Sequence, residues 1–264
     1  MNILYFDCFA GISGDMTLGA LVDVGVDFDI LKAELSKLNL EGYDITCERK
    51  VKKGISAVDI TIDIHHPNNH SHSHHSHRSF TDIKNIIESS NLNDRVKRDA
   101  VGIFRILGEA EAKVHGVDIE KIHFHEVGAV DSIVDIVGVC ICIDMLKIDE
   151  VYCSKLPIFY GTVQIAHGTF PLPAPATIEI LKNVPFTGDG IEGEIITPTG
   201  AAILKYFSKD FGNMPAMTIK NTGYGAGKKD FGLPNVLRVI SGEKSDKKEE
   251  STIAVIEANN ADHR

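Results

Sequence analysis

Long apolar runs, excess positive charge and paired cysteines are all missing from this chain, and each absence removes a class. The most apolar stretch, Ile133 to Leu146, is interrupted by Asp135 and Asp144 and is too short to span a bilayer, so it reads as a buried helix. The N-terminus has no basic region followed by a long apolar run, which argues against a signal peptide. Lys and Arg total 27 against 37 Asp and Glu, a formal net charge of −10. That balance disfavours nucleic acid or an anionic membrane as a partner. Cys8, Cys47, Cys140, Cys142 and Cys153 form no C-x-x-C pair. Their odd number and apolar neighbours suit reduced, buried thiols in a cytoplasmic protein. The turn from Asp7 to Asp15 is neither a Walker motif nor a G-x-G-x-x-G loop.

What remains is the composition of a globular chain: 264 residues, 43% hydrophobic and 24% charged. Ile3 to Phe6 reads as a buried strand, followed by a helix marked by Met16, Leu18, Leu21 and Val22. Ile30 to Leu38 has helical spacing. Tyr43 to Val51 and Ile55 to Ile64 read as strands joined by Lys52-Lys53-Gly54. The second strand alternates, with Val58, Ile60, Ile62 and Ile64 on one face and Asp59, Thr61 and Asp63 on the other. Helices are expected over Phe80 to Ser89, Asp94 to His115, Ala129 to Leu146, Ala176 to Leu181 and Thr197 to Tyr206, with strands between Val151 and Ile165. Met217 to Gly227 and Asn235 to Ser241 close the pattern as a strand pair. Helices and strands mix without a strict βαβ repeat, which predicts an α+β fold, a mixed α/β sandwich with a disordered His-rich loop. The expected organisation is a metal- and substrate-binding domain over 1–242 with a flexible loop at 65–79. A charged linker at 243–251 and a stub of a further C-terminal domain at 252–264 follow.

That loop holds His65, His66, His70, His72, His74, His75 and His77, seven of the twelve histidines within thirteen residues. Neutral imidazole suits Ni, Zn, Cu and Co. Freezing thirteen residues would cost on the order of 13–26 kcal/mol of backbone entropy. A structural metal site returns only about 10–16 kcal/mol. The tract is therefore expected to capture metal as a mobile collection site, or else to be a polar linker.

The densest constellation is His123-Phe124-His125-Glu126, followed by Asp131 and Asp135. On an extended segment His123 and His125 share a side. Asp131 and Asp135, four apart, share a face of the helix after them. The set suits a borderline divalent metal and could include a general base. Its alternative is an aspartate at a helix start and histidines satisfying backbone groups. Asp7 to Asp15 joins a strand to a helix, with open backbone N–H groups for an anion and Asp7 and Asp15 as ligands for a hard cation such as Mg²⁺, or merely a capped turn. Thr197, Thr199 and Gly200 open another helix as an anion seat. Gly223, Gly225 and Gly227 recur along a strand, where close approach of a ligand would explain them; Asn235 and Arg238 could add a donor and a fork.

Taken together, these segments resemble the LarC family of nickel-insertion proteins in nickel-pincer cofactor biosynthesis. The resemblance rests on Phe9-Ala10-Gly11-Ile12-Ser13-Gly14-Asp15-Met16, the His-rich insert, the block from His123 to Ile136, His167 to Thr177, Thr197 to Leu204, and Gly223 to Gly227 with Pro234 to Val239. It covers nearly the whole chain. It implies CTP-dependent insertion of Ni²⁺ into pyridinium-3,5-bisthiocarboxylic acid mononucleotide, with two Ni–S bonds and one Ni–C bond formed. CTP with Mg²⁺ or Mn²⁺ is implied for the full-length family, a separately translated C-terminal domain as one partner, and nickel-pincer enzymes as recipients. Making the Ni–C bond requires loss of a ring proton, so His125 and Glu126 become the expected catalytic bases. The family pattern ends near Ile256 to Asn259, so this chain is expected to be its N-terminal portion. A nickel reservoir or metallochaperone and a metal-dependent phosphohydrolase are the competing readings.

Overall fold

The computed structural model describes residues 1–65, 78–124, 127–165 and 168–244. In chain order its elements are β1 (Asn2–Asp7), α1 (Gly14–Asp23), α2 (Phe28–Leu35), β2 (Tyr43–Lys52), β3 (Ile55–Ile64), α3 (Phe80–Glu88), α4 (Asp94–His115) and α5 (Val130–Met145). There follow β4 (Glu150–Cys153), β5 (Leu156–Tyr160), β6 (Thr162–Ile165), β7 (Gly168–Pro171), α6 (Pro175–Ile180), β8 (Phe186–Glu192), α7 (Pro198–Phe207), β9 (Ser208–Phe211), β10 (Met217–Ala226) and β11 (Val236–Lys244). The α+β class expected from the sequence is the class observed. Of the expected linker at 243–251, Glu243 and Lys244 instead continue β11 in its ladder with β1 and β10; the rest of the linker and the stub at 252–264 lie outside the described residues.

Local chemistry fixes most boundaries. Lys53 and Gly54 both take positive φ, the pattern of a two-residue hairpin turn whose twist matches its strands, and Lys52 pairs with Ile55 across it. A reciprocal Ser79–Asp82 capping box starts α3. Asn93 caps α4, which ends on Gly116 in the left-handed region. In α5, ten of sixteen residues are buried, as befits a helix enclosed on most sides.

Seven strands form one mixed sheet in the order β2-β3-β10-β11-β1-β4-β9. β1 and β10 each pair antiparallel with β11, while β4 runs parallel to both β1 and β9. The β2–β3 hairpin joins through a narrow parallel seam, with the pairing of Gly225 and Val58. Two short pairs, β5–β8 and β6–β7, stand apart. Helix α1 lies on β3, β10 and β11; α5 packs on α1, and α4 packs on α5 and α7. Leu4, Phe6, Leu18, Leu21, Phe104 and Ile136 sit in the resulting core, each fully buried. Each such side chain contributes roughly 1.5–3 kcal/mol.

One alternation departs from expectation. Asp59 belongs to the polar set of β3 yet is only 2% exposed, because Lys50 and Lys228 close over its carboxylate from two sides.

Candidate functional site

Three helices begin around one cleft. At the first start, Gly11 takes φ +93 and Ile12 forms a parallel bridge with Ile196. The Ile12 amide donates to the Ile195 carbonyl at 2.8 Å, and the Thr197 amide donates to the Ile12 carbonyl at 3.1 Å. A side chain on Gly11 would run into the Ile195 backbone, and one on Gly200 into the Ile12 backbone. The two glycine-bearing turns are thus built to touch each other. Their contact sets the N-termini of α1 and α7 side by side.

Ser13 Oγ accepts from the Met16 amide to cap α1 and also donates to Asp15. Thr197 Oγ1 accepts from the Gly200 amide at 3.2 Å to cap α7, and lies 2.9 Å from the Thr199 hydroxyl. Helix α5 starts after Ala129 with no side-chain cap; Asp131 satisfies only the Ser132 amide, at 2.8 Å. These starts line a cavity of about 420 Å³ with Ile60 to Ile62, Val127, Glu194 and Lys228. A smaller cavity of about 150 Å³ adjoins it, sharing Ser13, Asp15, Glu194, Thr197 and Lys228. Met16, Ile195, Phe231, Gly227, Lys229 and Asn235 complete the smaller one.

The electrostatics of the larger cavity are unusual. Asp135 presses against the start of α1, where Gly14 leaves it room, and its Oδ1 is enclosed with no hydrogen-bond partner. Burial, then the charges of Asp15 and Asp131, push its carboxyl well above the usual aspartate range. Burial also raises Asp15, although the Ser13 hydroxyl and Lys228 hold it back. Helix N-termini favour negative charge, which explains how several carboxylates share one chamber. Lys228 stands at its wall, donating to Asp59, to the Ile60 carbonyl at 2.9 Å and to Thr61 Oγ1 at 3.0 Å.

The cleft gathers Asp15, Asp131, Asp135, Thr197, Thr199, Gly227 and Asn235 from among the residues singled out in the sequence. Others are engaged elsewhere. Arg238 does not offer a free fork, nor Asp7 a free carboxylate: they face each other in the β1–β11 register, and Arg238 Nε donates to Asp7 at 2.8 Å. Gly223 and Gly225 make way for the backbone of α1, not for a ligand. His65 bonds Asp44 at 3.0 Å on the surface. His123 is exposed, bridged to Ser79, and lines neither cavity. His66, His70, His72, His74, His75, His77, His125, Glu126 and His167 lie outside the described residues. Among the described residues no group of three or more His, Cys, Asp or Glu could hold a metal ion. The sequence reading missed Ser13, Glu194, Lys228, Lys229 and Phe231; only the paired lysines after a glycine-spaced strand offered a signal.

All five cysteines are free thiols. Cys8 and Cys153 meet at 3.7 Å in the core, and burial pushes the Cys8 thiol up. Among the described residues no helix is long and apolar enough to cross a membrane.

The chain matches the family model described as "Nickel insertion protein" over residues 4–263. It is 48% identical over 264 residues to the pyridinium-3,5-bisthiocarboxylic acid mononucleotide nickel insertion protein of Acetivibrio thermocellus, covering 98% of this chain and 65% of that protein. Proteins of the same name from Staphylococcus epidermidis and Geobacillus kaustophilus are 47% and 48% identical, over 96% and 93% of this chain. The chain spans 62% and 61% of their lengths, so it covers less than two thirds of these relatives. No solved structure matches.

Proposed function

The chain belongs to the nickel insertion protein family, and on that premise we propose that it inserts Ni²⁺ into pyridinium-3,5-bisthiocarboxylic acid mononucleotide. In this reading it is a nickel chelatase of the lyase class, acting in the cytoplasm, and the product passes to nickel-pincer enzymes. One observation carries it: a cleft that combines the solvent-shielded Asp135 carboxylate with three helix N-termini.

The two halves of that cleft match the two reactants. Asp135 and Asp15 present oxygen donors to the incoming Ni²⁺ ion, and deprotonated carboxylate is the ligand form. The helix starts at Ser13, Ala129 and Thr197 face the anionic thiocarboxylates, which they orient without any charge of their own. His125 and Glu126 complete the proposal as bases for the ring proton. In the sequence they precede Val127, which lines the larger cavity. The histidines from His65 to His77 serve as a collecting tract for nickel.

CTP with Mg²⁺ or Mn²⁺ belongs to the proposal as a requirement of the longer protein. Asp15, Asp135, Ser13 and Thr199 each bring side-chain oxygen to the lining of the larger cavity, the donor chemistry that hard divalent cations take. CTP supplies the driving force when bound, and no residue of this chain is assigned to it. A separately translated C-terminal domain is proposed to complete the CTP-dependent activity, and a chain truncated before it would be inactive alone.

Mass spectrometry tests the reading. The chain is mixed with Ni²⁺, the mononucleotide and CTP, with and without the remaining third of a full-length relative. Metallated product in the complemented reaction supports insertion. Nickel uptake with no metallated product in either reaction removes it in favour of storage. Wild-type turnover by Glu126→Ala would eliminate that base.

A further inference from the structure

The cleft has two dissimilar ends, and so does the substrate. Its thiocarboxylates at ring positions 3 and 5 flank position 4, which is where a metal bridging them must sit. The ring nitrogen lies across the ring from that position and carries the ribose phosphate. The metal edge and the phosphate therefore occupy opposite poles of a molecule stiffened by its aromatic ring. Resting on the substrate reading above, we propose that the mononucleotide lies along the cleft in one orientation. Its position 4 faces Asp135 in the larger cavity, and its ribose phosphate enters the smaller one, where Lys229 meets the phosphate.

The distribution of charge selects that orientation over its reverse. Asp131 and Asp135 line only the larger cavity, where a dianionic phosphate would confront them. Lys229, Asn235 and Phe231 line only the smaller. The two lysines of the cleft are not equivalent. Lys228 directs its ammonium to Asp59, the Ile60 carbonyl and Thr61, which accounts for all three of its donors. Lys229 bonds Glu194 at 3.0 Å, and its side chain is 59% exposed, so it retains donors for a ligand.

Its neighbours support the placement. Asn235 Nδ2 donates to the Lys229 carbonyl at 2.8 Å, making Asn235 a positioning residue for that lysine. Phe231 lies over Gly193, where a side chain would collide with its ring, and presents an apolar wall suited to the carbon face of a ribose.

Calorimetric titration with two stable probes tests the orientation: the pyridinium-3-carboxylate mononucleotide and its dephosphorylated ribonucleoside. Lys229→Ala should weaken the mononucleotide about tenfold, the loss of one charge-assisted hydrogen bond, and leave the ribonucleoside unchanged. Glu194→Gln, which releases Lys229 from its partner, should tighten the mononucleotide alone. Equal effects of Lys229→Ala on both probes, or no effect on either, overturns the orientation while leaving the substrate class intact. A wild-type chain that binds neither probe overturns the substrate reading itself.

Discussion

Asp59 is gripped by Lys50 of β2 and by Lys228 beyond the end of β10. Burial alone would raise its carboxyl, but hydrogen bonds from Lys228 and Lys50 prevail and hold it below the usual range. Stability drawn from a lowered carboxyl is complete above the unfolded value of about 3.9 and is lost as pH falls through the folded one. Asp59→Asn should therefore have a lower urea midpoint near neutrality, with the gap to wild type closing below about pH 4. A gap that does not change with pH contradicts this account. Asp135 has the opposite sign. Its carboxyl is raised in the fold, so the folded state is penalised at neutral pH and relieved on acidification. Asp135→Asn should be more resistant to urea near pH 7, with the gain shrinking as pH falls toward about 4 and absent below it, and should bind Ni²⁺ more weakly by calorimetry. Added stability with undiminished nickel binding would detach Asp135 from the metal.

At the scale of elements, helix starts carry the cleft and their caps are measurable. Thr197→Ala removes the α7 cap and should cost about 1 kcal/mol in urea denaturation, with Thr197→Ser restoring most of it. Gly225→Ala places a methyl group against the Met16 carbonyl of α1, and should cost about 1–3 kcal/mol by the same measurement. A neutral result would mean that α1 can shift off the sheet. The same elements mark how far the sequence could be read. Period-2 alternation and Lys53-Gly54 disclosed the β2–β3 hairpin, and 3–4 spacing disclosed the helices, because both signals are local. Asp15, Asp131, Thr197 and Thr199 stood out since helix starts have their own residue preferences. The partnership of Asp7 with Arg238, 231 positions apart in sequence, was hidden until the β1–β11 register was known. For the same reason Gly223 and Gly225 suggested a ligand when their true neighbour is a helix. Lys228 carried no legible role, since what it holds is the middle of β3.

Considered whole, the molecule has a firm centre and a lightly attached flank. β1 and β11 share six paired positions, whereas β3 meets β10 through the pairing at Val58 and Gly225, reinforced by the Lys228–Asp59 contact. Amide hydrogen exchange should therefore be faster in β2 and β3 than in β1 and β11, and faster still in Lys228→Met. Uniform protection across the sheet would disprove the weak seam. The cleft, for its part, borrows from positions 13–16, 60–62, 127–135, 194–199 and 227–235. Residues so scattered along the chain are neighbours only after folding, and the unfolded polymer has no equivalent surface. By mass action, any genuine occupant must then resist thermal unfolding on the protein's behalf, adding about 2.7 kcal/mol at one hundred times its dissociation constant. A dye-based melting screen of metals and pyridine nucleotides, singly and in pairs, would let the chain itself nominate what it was shaped to hold.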